Sequence, residues 1–209
     1  MDEERVLSHT FANKEEAQQA GCDCEHCPLL GRPFVSGYGP DAEHAKGLII
    51  GEAPGFNEAR SGRPFVGDSG RLLRSILNYY GAEADDYYIT NIALCNPPGN
   101  KIPEAAGKCC RGRLKGELAP YWGSNLPILS LGAVAAQVLI PGLKGSARGR
   151  WWHRGRMVAT WHPAYVLRMS TQMGRFREFE LDIQKFIRGK PQQWPEPVYD
   201  VVETAQELW

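Results

Sequence analysis

The stretch GEAPGFNEARSGRPFVGDSG at residues 51–70 is the most informative segment of this chain, because it indicates where the chemistry takes place. It follows the apolar run 48–50 directly and leads into a helical apolar pattern over residues 72–77. A strand, a long glycine- and proline-rich loop and a helix are how an α/β domain presents a site at the carboxyl end of its sheet. Ordinary connections of this type run about 2–6 residues, so a loop of this length predicts a functional segment.

Length and composition predict one soluble domain. The 209 residues are 43% hydrophobic and 23% charged, which suits an α/β domain with a sizeable core. No apolar run approaches the roughly 20 residues that cross a bilayer. The acidic start MDEERVLSHTF lacks the apolar segment of a secretory signal. We therefore expect a cytoplasmic monomer that makes no membrane contact.

Short apolar runs alternate with helical patterns along the chain. The runs predict strands at 47–50, 87–91, 127–131 and 157–161, and the patterns predict helices at 14–20, 69–80, 104–121, 133–139 and 175–188. This alternation predicts the α/β class, as a three-layer α/β/α fold with a central four-stranded, mostly parallel sheet. One domain is expected over residues 1–189, followed by a proline-rich, acidic C-terminal tail at 190–209.

A conspicuous segment stands at the end of each predicted strand. In chain order these segments read GEAPGFNE, TNIALCNPPGNK, LGAVAAQ and WHPAYVLR. The carboxyl ends of parallel strands meet at one edge of a sheet, which is where open sheets bind ligands. The four segments therefore predict one shared site.

The charge is balanced overall but uneven locally. There are 24 basic and 24 acidic side chains, yet bases dominate residues 101–115 and 144–156. Basic runs are usually solvated faces of loops and helices. Trp151 and Trp152 within the second run favour a contact with nucleic acid, because aromatic rings beside cations stack on bases.

Six cysteines are more than a core of this size needs. Two distant pairs, Cys24 with Cys27 and Cys95 with Cys110, suggest a four-thiolate site for an iron–sulfur cluster or Zn²⁺, and the spacing does not choose between them. Cys22 and Cys109 stand beside members of these pairs as spare thiols. Buried free cysteines with one redox pair remain the alternative.

Taken together, these motifs resemble the iron–sulfur uracil-DNA glycosylases, family 4 of the uracil-DNA glycosylase superfamily. The resemblance covers roughly residues 20–188, in the family's order. The matching segments are Cys24-x-x-Cys27-Pro28-Leu29, 51–73, 88–103, Cys110, 129–139 and 161–168. The resemblance implies a monofunctional DNA glycosylase of base excision repair. Such an enzyme hydrolyses the N-glycosidic bond of uracil flipped out of single- or double-stranded DNA and leaves an abasic site.

The resemblance also implies a cofactor, a [4Fe-4S] cluster. Its ligands would be Cys24, Cys27, Cys95 and Cys110, with Cys109 as the alternative fourth ligand. The cluster would hold loops together and take no part in redox chemistry on the base.

Site residues follow from the resemblance by position. Glu52 would position water or stabilise the developing cation, with Glu58 as the second carboxylate, and His162 would donate to uracil O2. Phe65 would stack on the base and Asn91 would read its Watson–Crick edge. The substrate-binding set is Gly51, Ala53, Pro54, Gly55, Phe65 and Asn91. The DNA-binding set is Pro98, Gly99, Asn100, Lys101, Tyr165, Val166, Leu167 and Arg168.

Departures from the family pattern leave two alternatives open. The family often has other side chains at four positions, which in this chain are Asn96, Lys101, Ala59 and Arg74. One alternative is a glycosylase for another modified pyrimidine in DNA. The other is a non-catalytic iron–sulfur protein that binds DNA.

Overall fold

The computed structural model describes residues 6–169 and 171–189, so the tail predicted at 190–209 lies outside the described residues. Within them the strands are β1 (Ser8–His9), β2 (Tyr38–Gly39), β3 (Leu48–Gly51), β4 (Tyr88–Asn91), β5 (Ile128–Leu131), β6 (Trp151–Trp152) and β7 (Met157–Thr160). The α-helices are α1 (Lys14–Gln19), α2 (Phe56–Ser61), α3 (Asp68–Tyr79), α4 (Glu104–Cys109), α5 (Arg111–Trp122), α6 (Ala133–Leu139), α7 (Pro163–Arg168) and α8 (Met173–Arg188).

All these strands form one mixed sheet with the order β1-β2-β4-β3-β5-β7-β6. The pairs β3–β4, β3–β5 and β5–β7 are parallel. The short outer strands pair antiparallel. The expected four-stranded sheet is therefore not confirmed, because the described part of the chain has seven strands. Strands of two residues carry no periodicity that a sequence could reveal.

Both faces of the sheet are covered, as the pleat of β3 shows. Leu48 and Ile50 pack in one apolar cluster, while Ile49 between them packs in another. The first cluster includes side chains of α5 and α6, and the second includes side chains of α3 and α8. Because successive side chains of a strand point to opposite faces, these helix pairs lie on opposite sides of the sheet.

The helices differ from expectation at three places. The helix predicted over 104–121 is two helices, α4 and α5, which meet at Cys110. The helices α2 and α7 stand inside segments that the sequence suggested were loops. Both are six residues long, too short for an apolar repeat to show.

Within residues 6–169 and 171–189, no helix combines the length and the apolar character that crossing a bilayer requires.

Candidate active site

A cavity of about 540 Å³ opens at the carboxyl ends of the four parallel strands. Each strand contributes a lining residue at its end or just beyond it. These residues are Glu52 after β3, Asn91 at the end of β4, Gly132 after β5 and His162 after β7. The structure thus brings together the four segments that the sequence predicted to share a site.

His162 is the N-cap residue of α7, and Pro163 occupies the first helical position. Its Nδ1 accepts a hydrogen bond from the backbone N–H of Ala164 at 3.2 Å. Burial, with a smaller effect of the Arg168 charge, lowers the pKa of His162 to about 4. The imidazole is therefore neutral at pH 7, and its proton sits on Nε2.

Glu52 is half-buried beside this histidine. Burial raises the pKa of the Glu52 carboxyl, while the backbone N–H of Val134 and the charge of Arg168 act in the opposite direction. Gly132 makes room for the carboxylate, because a Cβ there would collide with Glu52 Oε1 and lie 3.1 Å from His162 Cβ. The sequence analysis did not select Gly132, although its φ of 93° also favours glycine.

The side-chain amide of Asn91 is buried, and its oxygen accepts no hydrogen bond from the described residues. The residue is only 2% exposed, and among the described residues Oδ1 has no hydrogen-bond partner. Gly51 allows the close approach of the neighbouring strand, since a Cβ on it would lie 2.5 Å from both Asn91 Oδ1 and the Phe65 ring. A buried acceptor without a partner is costly, so it indicates a ligand that donates to it.

Phe65 forms one wall of the cavity. Its backbone φ is 54°, a left-handed conformation that a bulky residue rarely adopts. The Phe65 and His162 ring centroids are 6.5 Å apart, with an angle of 37° between the ring planes. Gly70 of α3 packs directly under the Phe65 carbonyl, where any Cβ would clash. The close contact with Gly70 thus supports the strained backbone of Phe65. Backbone strain of this kind clusters at functional sites.

Glu58 holds the loop that carries Phe65. Its Oε1 accepts hydrogen bonds from the backbone N–H groups of Val66 at 2.9 Å and Gly67 at 2.7 Å. The side chain is buried and also lines the cavity. This geometry gives Glu58 a structural task, which differs from the catalytic role expected for it.

Ala53, Pro54 and Gly55 line the cavity in the order of the sequence. The carbonyl of Pro54 accepts from Asn96 Nδ2 at 2.9 Å. The backbone and side-chain oxygens of Asn96 in turn accept from Arg32. Asn96, one of the residues that depart from the family pattern, therefore supports the loop that lines the cavity.

The expected DNA-binding residues divide into two groups. Pro98, Gly99 and Asn100 form an exposed turn at the rim, and the backbone N–H groups of Asn100 and Lys101 bond within that turn. These two amides are therefore occupied by the turn itself, although such turns can offer backbone donors to phosphate. Of this group, Asn100 lines the cavity.

In the second group, Tyr165 and Arg168 line the cavity and Leu167 is 40% exposed. Val166 differs from the other three residues of this group. It is 3% exposed and packs in the apolar cluster that includes α3 and α8. The side chains of a helix point in different directions around its axis, and α7 buries Pro163 and Val166.

The aromatic part of the argument for a nucleic-acid contact at 144–156 is wrong. Trp151 and Trp152 are both 5% exposed and belong to β6. Arg148 pairs with Glu178 and Asp182 of α8. Arg156 donates to the backbone carbonyls of residues 122 and 126. These side chains hold the segment to the body of the protein.

A second, smaller cavity is lined by all six cysteines. Cys24, Cys27, Cys95 and Cys110 meet there, as the sequence predicted, together with Cys22 and Cys109. The remaining wall is mostly apolar and includes Leu29 and Leu94. Within the described residues no His, Cys, Asp or Glu group is compact enough to hold a single metal ion.

The sulfur atoms in this second cavity influence one another. Cys22 Sγ lies 3.6 Å from Cys110 Sγ. The thiol of Cys22 donates to Cys110 and lowers its pKa to about 6, with a further contribution from the Arg113 charge. Burial raises the pKa of Cys95 to about 11. Thiolate ligation at such a site would therefore release protons.

Comparison with known proteins places these observations in a family. The model of the uracil DNA glycosylase superfamily matches residues 36–186. A type-4 uracil-DNA glycosylase from Pyrobaculum aerophilum is 33% identical over 195 residues, which is 84% of this chain and 93% of that protein. Type-4 uracil-DNA glycosylases from Thermotoga maritima and Archaeoglobus fulgidus are each 34% identical, over 69% and 81% of this chain and 78% and 90% of their own lengths.

Proposed function

Because the chain belongs to the uracil DNA glycosylase superfamily, we propose that it excises uracil from DNA by hydrolysing the N-glycosidic bond. The observation that carries the proposal is the buried Oδ1 of Asn91, which lies in the strand-end cavity and has no hydrogen-bond partner among the described residues. Uracil carries a donor at N3 and an acceptor at O4, and an asparagine amide can satisfy both. Cytosine has an acceptor at N3 and a donor at N4, so an amide held in the orientation that suits uracil would reject it.

The remaining groups suit the bond-breaking step. When the bond to uracil breaks, negative charge develops on the base and positive charge on the sugar. The Nε2–H of neutral His162 can donate to the base oxygen and stabilise that negative charge. An ionised Glu52 can stabilise the sugar cation and position the attacking water. Phe65 supplies the ring on which the extruded base stacks.

The product is an abasic site left in the DNA. Among the described residues that line the cavity there is no lysine, the side chain that forms a Schiff base with the sugar. Hydrolysis by water accounts for the reaction without a covalent intermediate. The protein would therefore act as a monofunctional glycosylase.

The cysteine cavity would hold a [4Fe-4S] cluster on Cys24, Cys27, Cys95 and Cys110. Four thiolates in a mostly apolar cavity are the donor set that such clusters use. When bound, the group would tie the N-terminal segment to the loop after β4 and to the start of α5.

DNA would reach the cavity past α7 and the turn at Pro98–Asn100. Leu167 is an exposed apolar side chain of α7 and is the candidate wedge for the gap left by the base. Arg168 next to it brings a positive charge toward the phosphates.

Base release from a labelled oligonucleotide tests the proposal. The substrate carries one uracil, in single-stranded and duplex form, and alkali cleaves any abasic site. We expect cleavage by the parent protein and a loss of at least about a hundredfold in Glu52→Gln and in Asn91→Ala. The matched control is Glu104→Gln, since Glu104 is exposed and does not line the cavity.

Other substrates and a binding role are outcomes of the same experiment. Release of a different pyrimidine, with uracil left intact, would replace the substrate and keep the reaction. DNA binding without release of any base would contradict the glycosylase proposal.

A further inference from the structure

We propose that Arg113, a buried residue of α5, is a positioning residue that holds Asn91 in the orientation that reads the base; this inference rests on the function proposed above. Arg113 does not line the cavity, and its contact with the site is to the backbone of Asn91. It would act on the reaction through the backbone of β4.

The contacts between Arg113 and β4 are direct. Nη2 of Arg113 donates to the backbone carbonyls of Asn91 at 2.9 Å and Ile92 at 2.8 Å. Gly51 and Asn91 are the last residues that pair between β3 and β4. Arg113 therefore anchors the chain at the point where the strand stops and the site begins. A charged donor makes these hydrogen bonds stronger than ordinary backbone ones.

The guanidinium is itself held rigidly. Its Nη1 donates to Glu117 Oε2, and the hydroxyl of Tyr88 donates to Glu117 Oε1. The side chains of Arg113 and Glu117 have no exposed surface. Burial disfavours the charge, yet the adjoining carboxylate of Glu117 keeps the pKa of Arg113 above its ordinary value. A planar guanidinium that is held in one position can donate to two backbone carbonyls at the same time.

The Asn91 amide depends on this anchor more than most side chains would. Its oxygen finds no partner among the described residues, so no hydrogen bond at that atom fixes its direction. Its position follows from the backbone of β4 and from packing against Gly51 and Phe65. Small displacements at a reacting site are expensive, since a misplacement of about 1 Å can cost a hundredfold in rate.

A contribution to stability does not by itself explain why Arg113 and Glu117 form a buried ion pair. Replacing such a pair with well-packed apolar side chains is often neutral or stabilising. Here the pair lies between a base-reading residue and the cysteine cavity, because Arg113 follows Cys110 by one helical turn. The location indicates a task in the site in addition to one in the core.

Two lysine variants separate positioning from general support. Arg113→Lys keeps the charge beside Glu117 but loses the fork that reaches two carbonyls. Arg156→Lys is the matched control, because Arg156 also donates to two backbone carbonyls and does not line the cavity. Thermal unfolding and the visible absorption of the purified proteins show how much fold and cofactor each variant retains.

The first readout is kinetic. We expect Arg113→Lys to lower kcat/KM for uracil by about tenfold, the effect of weakening one hydrogen bond to the transition state. The ratio of uracil release to cytosine release should fall with it. Arg156→Lys should retain the parent's values for both. Equal effects of the two variants, or an unchanged kcat/KM in Arg113→Lys, would overturn the proposal.

The second readout does not depend on activity. The backbone N–H groups of Ile92 and Ala93 bond to the carbonyls of Gly51 and Glu52 at 2.9 and 3.0 Å. Hydrogen exchange of a peptide that covers these amides should accelerate in Arg113→Lys and stay at the parent's rate in Arg156→Lys. If the parent releases no uracil, the proposed function fails, while this exchange result still supports or contradicts the anchoring.

A second variant covers the case in which Arg113→Lys does not fold. Glu117→Gln removes the charge that holds the guanidinium and leaves Arg113 in place. We expect the same local acceleration of exchange to a smaller extent. Exchange at the parent's rate in this variant would count against the anchor.

Discussion

His162 accepts a hydrogen bond at Nδ1 from the backbone N–H of Ala164, two residues ahead at the start of α7. This bond places the imidazole proton on Nε2 and leaves Nε2 to act on the substrate. A backbone donor can satisfy only an unprotonated nitrogen, so the neutral ring is favoured twice, by this bond and by burial. The local geometry at one helix end thus prepares a neutral hydrogen-bond donor.

Removing that donor tests its part in the reaction. We expect His162→Gln to lower kcat by about 10²–10³, as for other lost donors to a developing negative charge, with a smaller effect on KM. Single-turnover release of uracil measures it. The control is His44→Gln, because His44 pairs with Asp41 and lines neither cavity. A loss confined to KM would contradict the role.

The same histidine makes stability depend on pH. Its pKa is about 4 in the folded protein against an ordinary value of 6.5. Between these values the unfolded chain binds a proton that the folded chain does not, so the free energy of unfolding falls as the pH drops from about 6.5 to 4. We expect this dependence in urea titrations to be weaker in His162→Gln than in the parent. The same slope in both proteins would contradict the low pKa.

Glu52 should control the acid side of the rate profile. Burial raises its pKa above the ordinary 4.5, whereas His162 protonates only near 4. As the pH falls, Glu52 therefore loses its charge first, and kcat should decline with a midpoint above 4.5. The residual activity of His162→Gln should keep this decline, and that of Glu52→Gln should lack it.

Glu58 separates a structural carboxylate from a catalytic one. Glu58→Ala leaves the N–H groups of Val66 and Gly67 without their acceptor, and each such buried donor costs about 1–3 kcal/mol. Glu58→Gln retains an acceptor oxygen. We expect the alanine variant to lose stability and to raise KM, and the glutamine variant to resemble the parent in chemical denaturation and kinetics. A large fall of kcat in Glu58→Gln would instead favour direct catalysis.

Removing one partner of the buried pair of Arg113 and Glu117 should cost more stability than removing one partner of an exposed pair. Glu117→Ala leaves an unpaired buried charge, at a cost of about 3–5 kcal/mol. The control has the same helical spacing, since Glu104 and Lys108 form an exposed pair four residues apart. Glu104→Ala should cost less than about 1 kcal/mol. Equilibrium unfolding in urea compares the two variants.

Serine variants of the adjacent cysteines test the fourth ligand. Cys110 is 6% exposed, and donation from Cys22 together with the Arg113 charge favours its thiolate. In Cys109 burial, reinforced by contact with Cys27, raises the pKa to about 11. We expect Cys110→Ser to lose iron and visible absorption and Cys109→Ser to retain both. The opposite result would assign Cys109 as the ligand.

Much of the fold follows from local patterns. Strands β3, β4, β5 and β7 are short, buried apolar runs, so they are visible as runs in the sequence. The edge strands β1, β2 and β6 have two residues each and carry no pattern. The break at Cys110 is also hidden, because a helical repeat continues across it.

The apolar runs and the segments that follow them were enough to predict that four strand ends share one edge of a sheet, since parallel topology brings those ends together. Which side of each short helix faces the core depended instead on the packing of the whole chain. It buried Val166 and Trp152, turned Glu58 toward two backbone amides, and left Asn91 Oδ1 without a described partner. It also joined Arg113 to Asn91, more than twenty positions away in the chain. Patterns in a sequence report local conformation, whereas burial and such distant hydrogen bonds arise when the whole chain packs.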